Sequence, residues 1–252
     1  MTSVNIFASE SDQIKYYFDK CVKQTSLEGL SLISRHAGYI TQPSTIKFQD
    51  TSYWLFDQIN IQPSLKEIQY EFERYINQNL PNCVNISYFE ERGLDIKKGQ
   101  PNTTAYFNLE DVFVVVNYPL EIRKGNSVEN YDEFSVKINI HYRKIFELAS
   151  QIMNKQLDTG FNFSNPLIDV NRFGFDASYI HSDNETIVYT IKDYSNDEDT
   201  KNFAFSFASR FKRSSLKRTL VLQKNSNVIS TVLPNIVYSA DRMAQLYIMP
   251  GV

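Results

Sequence analysis

The chain has 252 residues, of which 42% are apolar, 14% aromatic and 22% charged, a composition that buries a sizeable core and excludes intrinsic disorder. Its formal net charge of -3 and pI near 5.7 give the surface no global attraction for nucleic acid or anionic lipid. No apolar run approaches the ~20 residues of a membrane span, and the start Met1-Thr2-Ser3-Val4-Asn5-Ile6 lacks the basic and apolar regions of a signal peptide. These properties fit a soluble protein and a domain that has lost an anchor equally well.

Ser11 to about His36 reads as an amphipathic helix. Ile14, Tyr17, Phe18, Cys21, Val22, Leu30 and Ile33 fall at helical spacing, while Lys15, Lys20, Lys23 and Glu28 turn away. Gly29 costs a helix about 1 kcal/mol against alanine, which marks close contact with another element, and Gly38 is placed to end the helix. Thr51 to Phe56 then reads as a strand. Ser64-Leu65-Lys66-Glu67 has the form of a capping box. Behind it Leu65, Ile68, Phe72, Tyr75, Ile76 and Leu80 form one apolar stripe that Pro81 is expected to stop, with Cys83 just beyond.

From Asn85 to Ile140 the pattern has period two. Val112 to Val116 is an unbroken run suited to a strand buried on both faces. Pro119 to Ile122 and Phe134 to Ile138 alternate about the turn Lys124-Gly125-Asn126-Ser127, which predicts an antiparallel meander. A third helix is expected over about His141 to Leu157, with Tyr142, Ile145, Phe146, Ala149, Ile152 and Met153 inward. Strands follow at Phe175 to Ile180, Thr186 to Ile191 and Phe203 to Phe207, and the tail adds Leu220 to Leu222 and Val228 to Leu233. The expected fold is α+β, with three amphipathic helices on antiparallel sheet: a body over 1–213 and a β-rich tail or second module over 214–252.

Several segments in this order resemble one family. They are Ile14-Lys15-Tyr16-Tyr17-Phe18-Asp19-Lys20-Cys21, Leu27-Glu28-Gly29-Leu30-Ser31-Leu32-Ile33, Tyr75 to Cys83, Val116-Asn117-Tyr118-Pro119-Leu120 and Phe203 to Ala208. The chain resembles, over roughly residues 12 to 212, a family of surface proteins in small-genome DPANN archaea. The two cysteine segments carry the most specific part of that resemblance. His36-Ala37 departs from it, standing where the family has a small or glycine pair, and the tail beyond Lys217 lies outside it. The resemblance implies export, and a prepilin-like apolar helix as membrane anchor ahead of the first cysteine helix.

Cys21 and Cys83 are the only cysteines. They read either as two buried free thiols or, given the implied export and their helical positions, as a disulfide. Two thiols alone lack the further ligands of a zinc site, so no metal or other cofactor is expected. The sequons at Asn85, Asn102, Asn162 and Asn184 are candidate glycosylation acceptors, although the chain's 22 Asn and 37 Ser plus Thr yield about three by chance.

His36, His141 and His181 lie on three different elements without a recognisable Ser, Cys or Asp constellation. No phosphate loop, His-Glu-x-x-His or Gly-x-Ser-x-Gly motif is present. Asp183-Asn184-Glu185 and Asp197-Glu198-Asp199 read as solvated acidic turns without calcium-loop spacing. Arg210, Lys212, Arg213, Lys217 and Arg218 form the one basic patch interleaved with an aromatic, a candidate for an anionic ligand and otherwise a solvated edge. Sixteen tyrosines suit a binding surface, though most are expected to pack as strand residues.

The expected function is non-enzymatic: a membrane-anchored extracellular protein that holds a protein or glycan partner or supports the cell envelope, with no nucleic acid involved. The alternatives are a minor pilin-like filament subunit and an envelope-polymer hydrolase with paired carboxylates.

Overall fold

The first helix, α1 (Thr2–Arg35), starts well ahead of the Ser11 that the periodicity indicates. In this computed structural model the described residues are 2–159, 175–182, 185–194, 203–211, 219–224, 227–232 and 246–249. The helix buries Ile14, Phe18, Cys21, Val22, Leu30 and Ile33, the stripe its sequence predicts. Its end differs from expectation. The Gly38 amide donates to the Ile33 carbonyl at 2.6 Å, closing a Schellman-type turn in which Ala37, with φ 58°, takes the left-handed position glycine usually holds. Gly38 follows at φ 97°. Ala37 is fixed there because its carbonyl accepts the buried Trp54 indole N–H at 2.8 Å.

The short strand β1 (Lys47–Phe48), β2 (Thr51–Phe56) and β3 (Ile59–Asn60) come next. They are followed by α2 (Leu65–Cys83), which opens on the predicted capping box. The Glu67 amide donates to Ser64 Oγ at 3.2 Å, and the Ser64 amide donates back to the Glu67 carboxylate at 2.7 Å. Ile68, Phe72, Ile76 and Leu80 are buried, with Leu65 and Tyr75 packed at the margin. The two helices cross where a Cβ on Gly29 would lie 2.9 Å from the Phe72 and Tyr75 rings, so the glycine marks a close approach, as expected.

Pro81 does not stop α2, which runs on to Cys83. In the last turn a proline forfeits a single backbone bond, and the Val84 amide still closes the helix on the Leu80 carbonyl at 3.2 Å. A one-turn helix, α3 (Ser87–Glu90), then interrupts the stretch expected to be period two throughout.

The meander is β4 (Asp95–Lys98), β5 (Asn102–Phe107), β6 (Val112–Lys124) and β7 (Ser127–Ile138). Long β6 is central: β7 pairs along one edge through the predicted turn, where Gly125 has φ 59°, and β5 then β4 share the other. Phe18 of α1 stacks on Phe134 at 5.1 Å, and Phe72 of α2 meets Phe107 edge-on at 5.7 Å. The run Val112 to Val116 is not covered on both faces. Val112, Val114 and Val116 are buried, while Phe113 and Val115 are half-buried on the opposite face. Among the described residues the helices cover one face only, and cross-strand neighbours shelter the other.

The helix α4 (Tyr142–Thr159) and strands β8 (Phe175–His181), β9 (Thr186–Asp193) and β10 (Ala204–Arg210) complete the body. The second sheet has the order β1-β2-β10-β9-β8, with β3 also on β2. Its pairings are antiparallel except β2 with β10, which is parallel, with Tyr53 opposite Ala208. Trp54 packs between Phe146, Phe205 and Phe207, at 5.6, 5.3 and 4.7 Å between ring centroids. Both sheets and the helices α1, α2 and α4 contribute to one continuous apolar cluster. The architecture is the expected α+β class.

The chain divides into two compact units, Met1–Phe211 and Lys212–Val252. In the second, β11 (Thr219–Lys224) pairs antiparallel with β12 (Asn227–Val232) on one side and β13 (Leu246–Met249) on the other.

Candidate functional site

Cys21 and Cys83 form a disulfide with Cα atoms 5.7 Å apart, tying α1 to the end of α2. Tyr17, one helical turn ahead of Cys21, sets the chain beyond the bridge. Its hydroxyl donates to the Cys83 carbonyl at 2.8 Å and accepts the Asn85 amide at 3.1 Å, while its ring lies 5.8 Å from that of Phe89. Val84 between them has φ -80° and ψ 85°, and the Asn85 amide also reaches the Cys83 carbonyl at 3.0 Å, an inverse γ-turn. The candidate acceptor Asn85 is therefore exposed on a rigid loop. Asn102 is exposed too, but opens β5 opposite Asn117. Asn162 and Asn184 lie outside the described residues, as do Asp183 and the acidic turn 197–199.

The histidines separate as expected, yet one has gathered partners that the sequence did not reveal. His141 stands just ahead of α4, and its Nδ1 lies 3.0 Å from the carboxylate of Asp193, the last residue of β9. The same carboxylate accepts the His141 backbone amide at 3.0 Å, so it also caps the helix. On the far side of the ring, Nε2 is 3.1 Å from Glu110, which sits in the β5–β6 loop and also pairs with Lys144 at 2.5 Å. The hydrogen bond from Lys144, then the Lys144 and His141 charges, hold the Glu110 carboxyl below its ordinary value. Asp193 is 3% exposed and Glu110 is 66% exposed, so one carboxylate is structural and the other superficial.

Both ring nitrogens thus lie within hydrogen-bond distance of a carboxylate, one buried and one exposed. Among the described residues no group of three or more His, Cys, Asp or Glu side chains is placed to hold a metal ion. Glu110 and Asp193 are 83 residues apart, so no local pattern joins them; the only local signal was a histidine directly before a helix with an acidic residue ending a strand.

The open face of the meander carries mixed apolar and polar rows. Thr104, Val115 and Ser135 form one cross-strand row, and Tyr106, Phe113 and Lys137 the next. The Tyr106 ring is half exposed and lies 6.3 Å from that of Phe113, nearly parallel to it. Of the sixteen tyrosines, Tyr53, Tyr118, Tyr142 and Tyr189 are buried, whereas Tyr16, Tyr70, Tyr88, Tyr106, Tyr179 and Tyr194 are exposed. The exposed ones are scattered over helices, sheet and turns.

Of the basic patch, only Arg210 is described; Lys212, Arg213, Lys217 and Arg218 lie outside the described residues. Arg210 is occupied within the fold. Its guanidinium lies 3.5 Å from Glu185, 4.0 Å from Asp57 and 5.1 Å from the centre of the Phe56 ring. It joins the end of β10 to the neighbouring turns. No family model, no curated protein and no solved structure matches the chain. No helix among the described residues is long and apolar enough to cross a membrane.

Proposed function

We propose that this chain is a non-enzymatic extracytoplasmic domain, held at the cell surface by an apolar helix ahead of α1, where it binds a protein or glycan partner or braces the envelope. The Cys21–Cys83 disulfide carries the reading. Such bridges persist in oxidising compartments and are rare where thiols are kept reduced. The Tyr106–Phe113 pair on the open meander face supports a binding role. Labelling intact cells with a membrane-impermeant amine reagent tests the location. Lys97 and Lys137, each with side chain 63% exposed, should be modified before lysis. Modification only after lysis would overturn the proposal.

One observation favours a second reading, a minor pilin-like filament subunit. Such a subunit would carry an assembly helix straight into its first cysteine helix, and α1 is continuous over 34 residues from Thr2. Electron microscopy of the protein at the cell surface separates the two: filaments containing it support the second reading, and a dispersed protein the first.

A further inference from the structure

We infer that Asn85 carries an N-linked glycan, an inference that rests on the extracytoplasmic reading and adds a modification site to it. Three independent features converge on this sequon. The first is access: Asn85 and Ser87 are both exposed, on the loop between α2 and α3. The second is conformation. The Asn85 side-chain oxygen accepts the Ser87 amide at 3.0 Å, an Asx-turn that folds the +2 residue back toward the acceptor amide. That bond uses the oxygen, and Nδ2 keeps both protons unspent within the loop. The third is rigidity, since the Tyr17 hydroxyl clamps Cys83 and Asn85 together and the disulfide anchors the loop to α1.

The Asn102 sequon shows why exposure alone is too weak a criterion. Its backbone is paired with β6 on one edge. On the other edge, α2 grips it: the Ala105 amide donates to the Glu73 carboxylate at 2.9 Å, and the Thr103 hydroxyl donates to Asn77 Oδ1 at 2.7 Å. A transferase that needs a bent acceptor would have to break this ladder. At Asn85 the bend already exists.

The reaction takes a sugar carried on a polyprenyl phosphate or diphosphate, delivered by a membrane transferase. A bond forms between Asn85 Nδ2 and the anomeric carbon, and the anomeric carbon–oxygen bond breaks. The lipid phosphate leaves with the electron pair, and one Nδ2 proton passes to the transferase's base. The product is an uncharged glycosyl amide beside the disulfide.

The test is intact-mass and glycopeptide analysis of the full chain recovered from the cells that make it, read together with its thiol state. The expected result is a glycan on the Asn85 peptide, lost entirely in Ser87→Ala, retained in Ser87→Thr and unchanged in Asn102→Gln. Ser87 uses only its backbone amide in the turn, so removing its hydroxyl spares the fold. A bare Asn85 with the disulfide formed overturns the glycan while leaving the extracytoplasmic reading standing. A bare Asn85 with two free thiols overturns both. Glycan on Asn102 with Asn85 bare overturns the argument from loop geometry.

Discussion

The two sheets of the body solve the same problem in opposite ways. The meander is built from neighbours in sequence, β4 through β7, and its covered face is apolar and strapped by helices that a disulfide ties together. The second sheet joins β2 to β10 across about 150 residues, in parallel, and places polar groups within its core. There Gln156 of α4 donates to the Tyr189 hydroxyl and accepts from Ser209 Oγ at 3.0 Å, and Tyr53 pairs with Thr186 at 3.1 Å. A local meander finds its register through one tight turn. A sheet assembled from distant strands gains specificity from buried hydrogen bonds that only the right pairing satisfies.

The largest expected effects test whether the two sheets share one core. Phe72→Ala, under the meander, and Phe207→Ala, on the second sheet's β10, should each cost about 3–5 kcal/mol, because each empties a fully buried aromatic site. Since the apolar cluster is continuous, the Met1–Phe211 unit of each variant should melt in a single transition at lower temperature. Separate transitions of the meander and the second sheet, followed by hydrogen exchange through the melt, would break the comparison by showing two independently folding halves.

The disulfide comes next. It closes a sequence separation of 62 residues, which the chain-entropy model converts to about 4 kcal/mol. Cys21→Ser with Cys83→Ser should lower denaturant stability by that order. In that model the bridge acts on the unfolded chain, so hydrogen exchange should accelerate alike in both sheets. A rise confined to α2 and the 84–86 loop, the region the bridge anchors, would show that it acts on the folded state instead.

The polar network of the second sheet should weigh less. Gln156→Ala leaves the Ser209 and Tyr189 hydroxyls buried without their partner, a loss of about 1–3 kcal/mol in chemical denaturation. The same region should be the more alkali-sensitive. Burial, helped by the nearby Tyr179, raises the Tyr189 phenol, and burial raises Tyr142 well above its ordinary value of 10.0. A raised folded-state value favours the neutral phenol. The stability it reflects is present below pH 10 and is lost as the pH climbs above it. A melting temperature that holds constant well past pH 10 would contradict this.

What the sequence revealed divides along the same line. The stripe of α2, its capping box, the contact at Gly29 and the hairpin at Gly125 are local patterns, and each is legible because its cause lies within a few residues. The partial cover of Phe113 and Val115 was not legible. A β-branched run reads alike whether the second face meets a helix or only the cross-strand neighbours Thr104 and Tyr106. Nor was the parallel pairing of β2 with β10, or the convergence of Glu110 and Asp193 on His141, for which no periodicity exists. Glu73 and Asn77 of α2 are an intermediate case. Their i,i+4 spacing beside an apolar stripe is visible, but their task of closing the open edge of β5 emerges only when the strand lies against them.

The smallest effect should come from the start of α2, and it sharpens the comparison because it is a surface term in the half held by apolar burial and a covalent bridge. Ser64→Ala removes the hydroxyl that accepts the Glu67 amide, and the loss of such a cap costs about 1 kcal/mol. The change also alters acid sensitivity. The Ser64 backbone amide first, and its hydroxyl second, hold the Glu67 carboxyl below its ordinary value of 4.5. A lowered folded-state value means stability that is present above pH 4.5 and is lost as the pH falls through the folded value. Removing the hydroxyl takes away part of the lowering and leaves the backbone contribution in place. The difference in stability between wild type and Ser64→Ala should therefore be largest near neutral pH and shrink as acid protonates Glu67. Thermal melts of the two proteins from pH 7 to pH 3 read this directly. A gap that stays constant over the range would mean that the hydroxyl acts only through the Glu67 amide, with no coupling to its carboxylate.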